Sequence, residues 1–124
     1  MMRLNRPRSV KMKKGNPWID ICPGIKRQTI TSGRTMYQML AKLEAGSRMP
    51  EHRHPQEQIV HILEGKIRLI VDGTPHELSA GDSFYLASNL PHGVETIDES
   101  RVLDTFSPPR DEYLAIDEEA QKKQ

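Results

Sequence analysis

Breaker residues recur through the middle of this chain too often for any long regular element to be expected there. From Ile25 to Pro108 the apolar runs are short, and each is closed by Gly, Pro or Asp, as at Gly65, Asp72-Gly73, Gly81-Asp82 and Pro91. Turns at a spacing of roughly ten residues, with no helical period between them, predict an antiparallel all-β sandwich or barrel. Met36 to Leu43 is apolar at every second position (Tyr37, Met39, Ala41, Leu43), the pattern of a strand with one buried face. Ile59 to Leu63 reads as a buried strand, Glu64-Gly65 as a tight turn, and Lys66 to Val71 as the returning strand. Asp72-Gly73 is a hairpin signal leading into Pro75 to Leu78. Ser83 to Leu86, Val94 to Ile97 and Arg101 to Phe106 complete the set.

The 124 residues suffice for one domain. No apolar run is long enough for a transmembrane helix, and no apolar stretch follows the first basic residues as a secretory signal requires. Charge is unevenly placed. The chain has 18 Lys and Arg and 17 Asp and Glu, yet Arg3, Arg6, Arg8, Lys11, Lys13 and Lys14 all precede the first acid, Asp20. The sequence thus predicts a flexible, disordered basic arm at 1–16, a mildly acidic β domain at 17–110 and a polar C-terminal helix or tail at 111–124. The arm reads as a solvated terminus, not as a nucleic-acid or membrane contact. Cys22 stands alone, so no internal disulfide forms, and a reducing, cytoplasmic setting is expected.

Five histidines are present: His52, His54, His61, His76 and His92. In an extended segment His52, His54 and Gln58 share a face, and His61 lies on the other. Imidazoles and an amide oxygen converging in this way suit a first-row transition metal, with a third imidazole supplied by His92 from a distant strand. Taken alone, His52-Arg53-His54 reads better as part of a charged surface loop from Glu51 to Glu57 than as a ligand pair.

The frame around these residues resembles the cupin superfamily. Its first motif runs Gly, five residues, His-x-His, three residues, Glu or Gln, six residues, Gly; here that is Gly46, His52, His54, Gln58 and Gly65. Its second motif is matched by Gly81-Asp82 and Pro91-His92-Gly93, with Ala87 where a proline is usual and Thr96 where an asparagine is frequent. The resemblance spans about residues 35 to 106. It implies a single-domain RmlC-like jelly-roll β-barrel holding one divalent transition metal per chain through His52, His54, Gln58 and His92. Manganese, iron, cobalt, nickel, copper and zinc all suit such ligands. With an amide in place of the usual carboxylate, the ion keeps its full charge and acts as the stronger Lewis acid.

A second stretch runs Asp104-Thr105-Phe106-Ser107-Pro108-Pro109-Arg110. As a strand it puts Val102, Asp104 and Phe106 on one face, so Asp104 is a carboxyl in a partly dry pocket, or else it faces solvent at an edge or pairs with Arg101 or Arg110. The segment is similar to that of the KdgF-type pectin-degradation cupins, which implies ring opening and ketonisation of a 4,5-unsaturated uronate. Under that resemblance Asp104 shuttles a proton, Arg110 takes the substrate carboxylate and Phe106 walls the pocket. Tyr37, Gln38 and Met39 are further pocket candidates, with the choice among them open. A metal-dependent oxygenase and a non-catalytic binding cupin are the competing functions. A homodimer is expected, formed by pairing edges next to a flexible strand at Lys26 to Gly33.

Overall fold

The computed structural model describes residues 15–123, so nearly all of the predicted basic arm lies outside the described residues. Eight strands and one helix follow: β1 (Trp18–Cys22), β2 (Ile25–Ser32), β3 (Tyr37–Leu43), β4 (Arg48–His52), β5 (Glu57–Val71), β6 (Thr74–Ser79), β7 (Ser83–Leu86), β8 (His92–Ser107) and α1 (Asp111–Lys122). Strands β5 and β8 lie antiparallel along almost their whole length and change outer partners half way. One half of the pair is extended into the row β1-β2-β3-β8-β5-β7. The other half sits in the row β4-β8-β5-β6. These rows are the two sheets of a jelly roll. The described strands do not close into one hydrogen-bonded ring.

The passage between sheets is made at Gly65, where the sequence predicted a tight turn. The chain does not turn back there. β5 continues, and its register against β8 shifts between Ile62 and Ile67. Gly65 has φ +89°, and a Cβ would lie 2.3 Å from the Glu99 carbonyl oxygen, so only glycine fits this bulge. The bulge also moves the buried face from Gln58, Val60 and Ile62 to Ile67, Leu69 and Val71. Both halves of the strand therefore face one core. The segments expected as separate strands at Val94 to Ile97 and Arg101 to Phe106 are likewise one strand, β8.

β2 also departs from expectation. It is paired on both sides, to β1 and β3, and buries Ile25, Arg27 and Thr29. The ladder to β1 covers only Ile25 to Gln28, so from Thr29 to Ser32 the outer edge of β2 has no strand partner among the described residues, and the edge expected to pair in a dimer is only partly covered. The core is dry and apolar: Ile62, Ile67, Leu69 and Leu86 are almost fully enclosed. Cutting one of them to Ala costs about 2–5 kcal/mol.

Helix α1 is polar yet firmly docked. Its acidic first turn, Asp111 and Glu112, suits the positive end of the helix dipole. Its buried Asp117 accepts from Arg27 Nη1 at 2.9 Å and from Thr29 Oγ1 at 2.5 Å. Arg27 Nη2 donates to the Tyr113 carbonyl at 3.3 Å. Since the Thr29 proton goes to a carboxylate, Tyr37 Oη must donate in the 2.6 Å contact with Thr29 Oγ1. Burial pushes the Tyr37 phenol up to about 12. Each ionised or hydroxyl group here has a partner, which a buried ion pair requires.

Candidate metal centre and cavity

Three histidines converge from two strands and a turn. The ladder between β4 and β8 sets His52 directly opposite His92. Gly93 permits that close crossing, because a Cβ there would come 2.9 Å from the Met49 carbonyl oxygen. His54 lies beyond the end of β4, in the turn leading to β5, and Gln58 enters from the inner face of β5. Residues 52–58 are therefore not one extended segment. The turn, not period-two alternation, brings His52, His54 and Gln58 together.

The imidazole rings lie 4.4 Å (His52–His92), 4.9 Å (His54–His92) and 5.7 Å (His52–His54) apart between centroids. One ligating nitrogen from each fits within 4.8 Å of the others. In all three, Nδ1 faces a backbone carbonyl: Pro50 at 2.9 Å, Gln56 at 3.0 Å and Leu90 at 2.8 Å. A carbonyl only accepts, so each Nδ1 carries the proton and each Nε2 keeps its lone pair. Metal-binding histidines are commonly oriented in this way.

Gln58 extends the pattern. Its Nε2 donates to Asp104 Oδ1 at 2.8 Å, which turns its Oε1 towards His54 Nε2 at 3.1 Å. Two acceptors then face each other in a buried place, an arrangement that a shared cation relieves. Burial, assisted by the Arg110 charge, also disfavours a proton on His54, and burial holds His92 down at about 4. The donor set thus fits a divalent transition ion held by His52, His54, His92 and Gln58 Oε1.

Asp104 is buried on β8, and neither solvent nor Arg101 is its partner. Burial pushes its carboxyl up to about 6, against the opposing pull of the Gln58 bond and the Arg110 charge. Phe106 is buried beside it, edge-on to the His54 ring at 5.4 Å. Asp104, Phe106, Arg110 and Met39 all line the cavity that opens on the histidines. Its other walls are apolar, among them Ile21, Met49 and Val94. Arg110 Nε and Nη2 both reach Glu112 Oε2 at 3.1 Å.

Two pocket candidates sit elsewhere. Gln38 points to the opposite face of β3, where it donates to Thr105 Oγ1 at 3.4 Å. Tyr37 packs against Phe106 at 5.9 Å with its hydroxyl committed to Thr29, so it backs the wall without lining the cavity. His61 bonds Ser83 Oγ, and His76 lies on strand β6 against Phe84. Neither joins the cluster. Sequence reasoning missed Tyr113, which lines the cavity from α1. Its spacing of three residues from Arg110 and four from Asp117 was the available signal.

Comparison with known proteins agrees with this geometry. The Cupin domain family matches residues 39–106. The pectin degradation protein KdgF of Dickeya dadantii is 32% identical over 100 residues, covering 79% of this chain and 91% of that protein. The structure of KdgF from Halomonas sp. superposes with a TM-score of 0.74 at 29% identity, covering 78% of this chain and 90% of that one. An RmlC-like cupin from Shewanella frigidimarina gives 0.76 at 28% identity, covering 83% and 95%. Fold, motif spacing and relatives agree, and the chain belongs to the cupin superfamily, as a member similar to the KdgF-type cupins.

Proposed function

We propose that this chain is a metal-dependent enzyme that opens the ring of a small unsaturated sugar acid, such as a 4,5-unsaturated uronate, and ketonises it. The observation that supports this most is Asp104: a carboxyl buried in the cavity, one hydrogen bond from Gln58 and beside three histidines whose Nε2 atoms are bare. The similarity to KdgF gives the substrate class.

The chemistry moves one proton in two stages. Opening a cyclic hemiacetal takes the proton of the anomeric hydroxyl and returns one to the ring oxygen. The enol so released becomes a ketone when its hydroxyl proton leaves and the neighbouring vinyl carbon gains one. Asp104 is the group placed to carry protons between these atoms. Arg110 receives the substrate carboxylate, with Glu112 already holding two of its nitrogens. Phe106 and the apolar walls exclude water from the reacting atoms. A divalent ion bound by His52, His54, His92 and Gln58 supplies Lewis-acid polarisation of the substrate oxygens.

The test is direct. Unsaturated monouronate, freshly released by a lyase, is followed by the decay of its conjugated ultraviolet absorbance and the appearance of the linear keto acid. Metal-loaded protein should exceed the buffer rate, and Asp104→Asn should not while keeping its metal. Decay at the buffer rate with fully loaded protein would sink the reading, and oxygen uptake would favour the oxygenase instead.

The expected homodimer has a second support beside the outer edge of β2 from Thr29 to Ser32. Ile59, Leu63 and Tyr85 are exposed on the outer side of β5 and β7, an apolar face that a second copy would cover. Light scattering that finds only monomer at micromolar protein would remove it. We also place the protein in the cytoplasm on its single, unpaired Cys22. No helix among the described residues is long and apolar enough to cross a membrane.

A further inference from the structure

The first turn of helix α1 sets one aromatic ring beside two buried cations. The Tyr113 ring has Arg110 Cζ 4.0 Å from its centroid and Arg27 Cζ at 4.1 Å. Arg110 is simultaneously over Phe106, at 4.8 Å. Its guanidinium therefore meets two aromatic rings, one from β8 and one from α1. Tyr113 is placed in turn by its own carbonyl, which accepts from Arg27, and by Asp117 one turn later, which Arg27 and Thr29 hold. A continuous chain of contacts thus runs from the buried Arg27–Asp117 pair to the cation at the cavity.

We propose that Tyr113 is a positioning residue for Arg110, and that the Arg27–Asp117 pair fixes the helix which presents it. This rests on the reading that Arg110 receives the substrate carboxylate. The physical need is clear. An arginine side chain has several free torsions, and ordering it upon binding costs affinity. Stacking on two rings removes that cost beforehand and leaves the charge intact. Glu112 cannot do the same work, because its side chain is more than half exposed and it neutralises the charge it holds. The ring, not the phenol hydroxyl, is the acting part of Tyr113. The site accordingly favours a planar anion of the carboxylate class over a neutral sugar of equal size.

The experiment separates this proposal from the proposed function. In metal-loaded protein, dissociation constants are measured for galacturonate and for neutral galactose. In ligand-free protein, the order parameter and ring-current shift of the Arg110 Nε–H are read by NMR. Tyr113→Leu should weaken galacturonate about tenfold, the size of a desolvated cation–π contact, and leave galactose unchanged. The Arg110 Nε–H should lose the part of its restraint and of its shift that the Tyr113 ring supplies, keeping what Phe106 and Glu112 give. Tyr113→Phe, which keeps the ring, should restore the native values of all three. If Tyr113→Leu does not fold, the unmutated protein decides: a freely moving Arg110, or one with no nuclear Overhauser contact to the Tyr113 ring, overturns the proposal, and a restrained one in contact with that ring supports it. Unchanged Arg110 dynamics in a folded Tyr113→Leu also overturns it. Should galacturonate bind no better than galactose in the unmutated protein while Arg110 is restrained by Tyr113, positioning stands and the carboxylate role falls.

Discussion

The domain contains two buried polar clusters, on either side of the Tyr37–Phe106 pair, and they are built on opposite principles. In the cluster of Arg27, Thr29, Tyr37 and Asp117, each charged group and each hydroxyl has a partner within the protein and the charges cancel. In the cluster of His52, His54, Gln58 and His92, the outward nitrogens are satisfied by backbone carbonyls and the inward atoms are lone pairs facing one another. Apart from His52, which is half-buried, the members of both are buried. What differs is whether the hydrogen-bond accounts close within the protein. A closed cluster holds a fold together, whereas one left open towards a common point is shaped for something the chain does not supply.

The sharpest way to test that contrast is to remove one member from each. Asp104→Asn should lower turnover of an unsaturated uronate by about 10²–10⁴-fold, the usual worth of a positioned acid or base, with metal content unchanged. Mass spectrometry of the metal beside the rate assay checks both halves. Arg27→Met should do the reverse. It strands the Asp117 carboxylate and should cost about 3–5 kcal/mol of stability in denaturant titration, while the histidines keep their metal. If Arg27→Met instead emptied the metal site at folded concentrations, the two clusters would not be independent.

Metal should stabilise only through the open cluster. Zinc or manganese at 100 times its dissociation constant should add about 2.7 kcal/mol to unfolding, and His54→Ala should abolish that gain. Proton linkage gives a finer test on the metal-free protein. His92 is held at about 4 in the fold, below its ordinary 6.5, so the unfolded chain takes the proton first. Stability due to His92 is thus full above pH 6.5 and is lost as pH falls towards about 4. Asp104, raised to about 6, works against this: its contribution is present at low pH and is lost as pH rises through about 6. Asp104→Asn should therefore steepen the acid loss in chelator-treated protein, and an unaltered slope would contradict the assigned burial. Thr29→Val removes the bond to Asp117 and the acceptor of the Tyr37 hydroxyl, and should cost about 1–3 kcal/mol with no change in metal content, read by denaturant titration beside metal analysis.

The turn spacing predicted the all-β class, and motif spacing pointed to the four residues that converge. Boundaries were less legible. Gly65 read as a turn because glycine with positive φ serves turns and bulges alike, and only the partner strand distinguishes them. His52 and His54 were aligned by a parity rule that the structure does not use, since the chain leaves β4 between them. Alternation already put Gln38 on the face opposite Tyr37 and Met39, but that Met39 lines the cavity while Tyr37 stands behind Phe106 was not legible before β3 had neighbours on both sides.

What the sequence determined alone was therefore local and periodic: where strands break, which faces are apolar, and which residues can donate a lone pair. Those are properties of residues a few positions apart, written in order along the chain. The tertiary structure decided what meets across distance. Asp104 faces Gln58 across 46 positions, and Asp117 faces Arg27 across 90. No short-range pattern marks such pairs. They exist because the jelly roll brings β8 against β5, and α1 against β2, around one core.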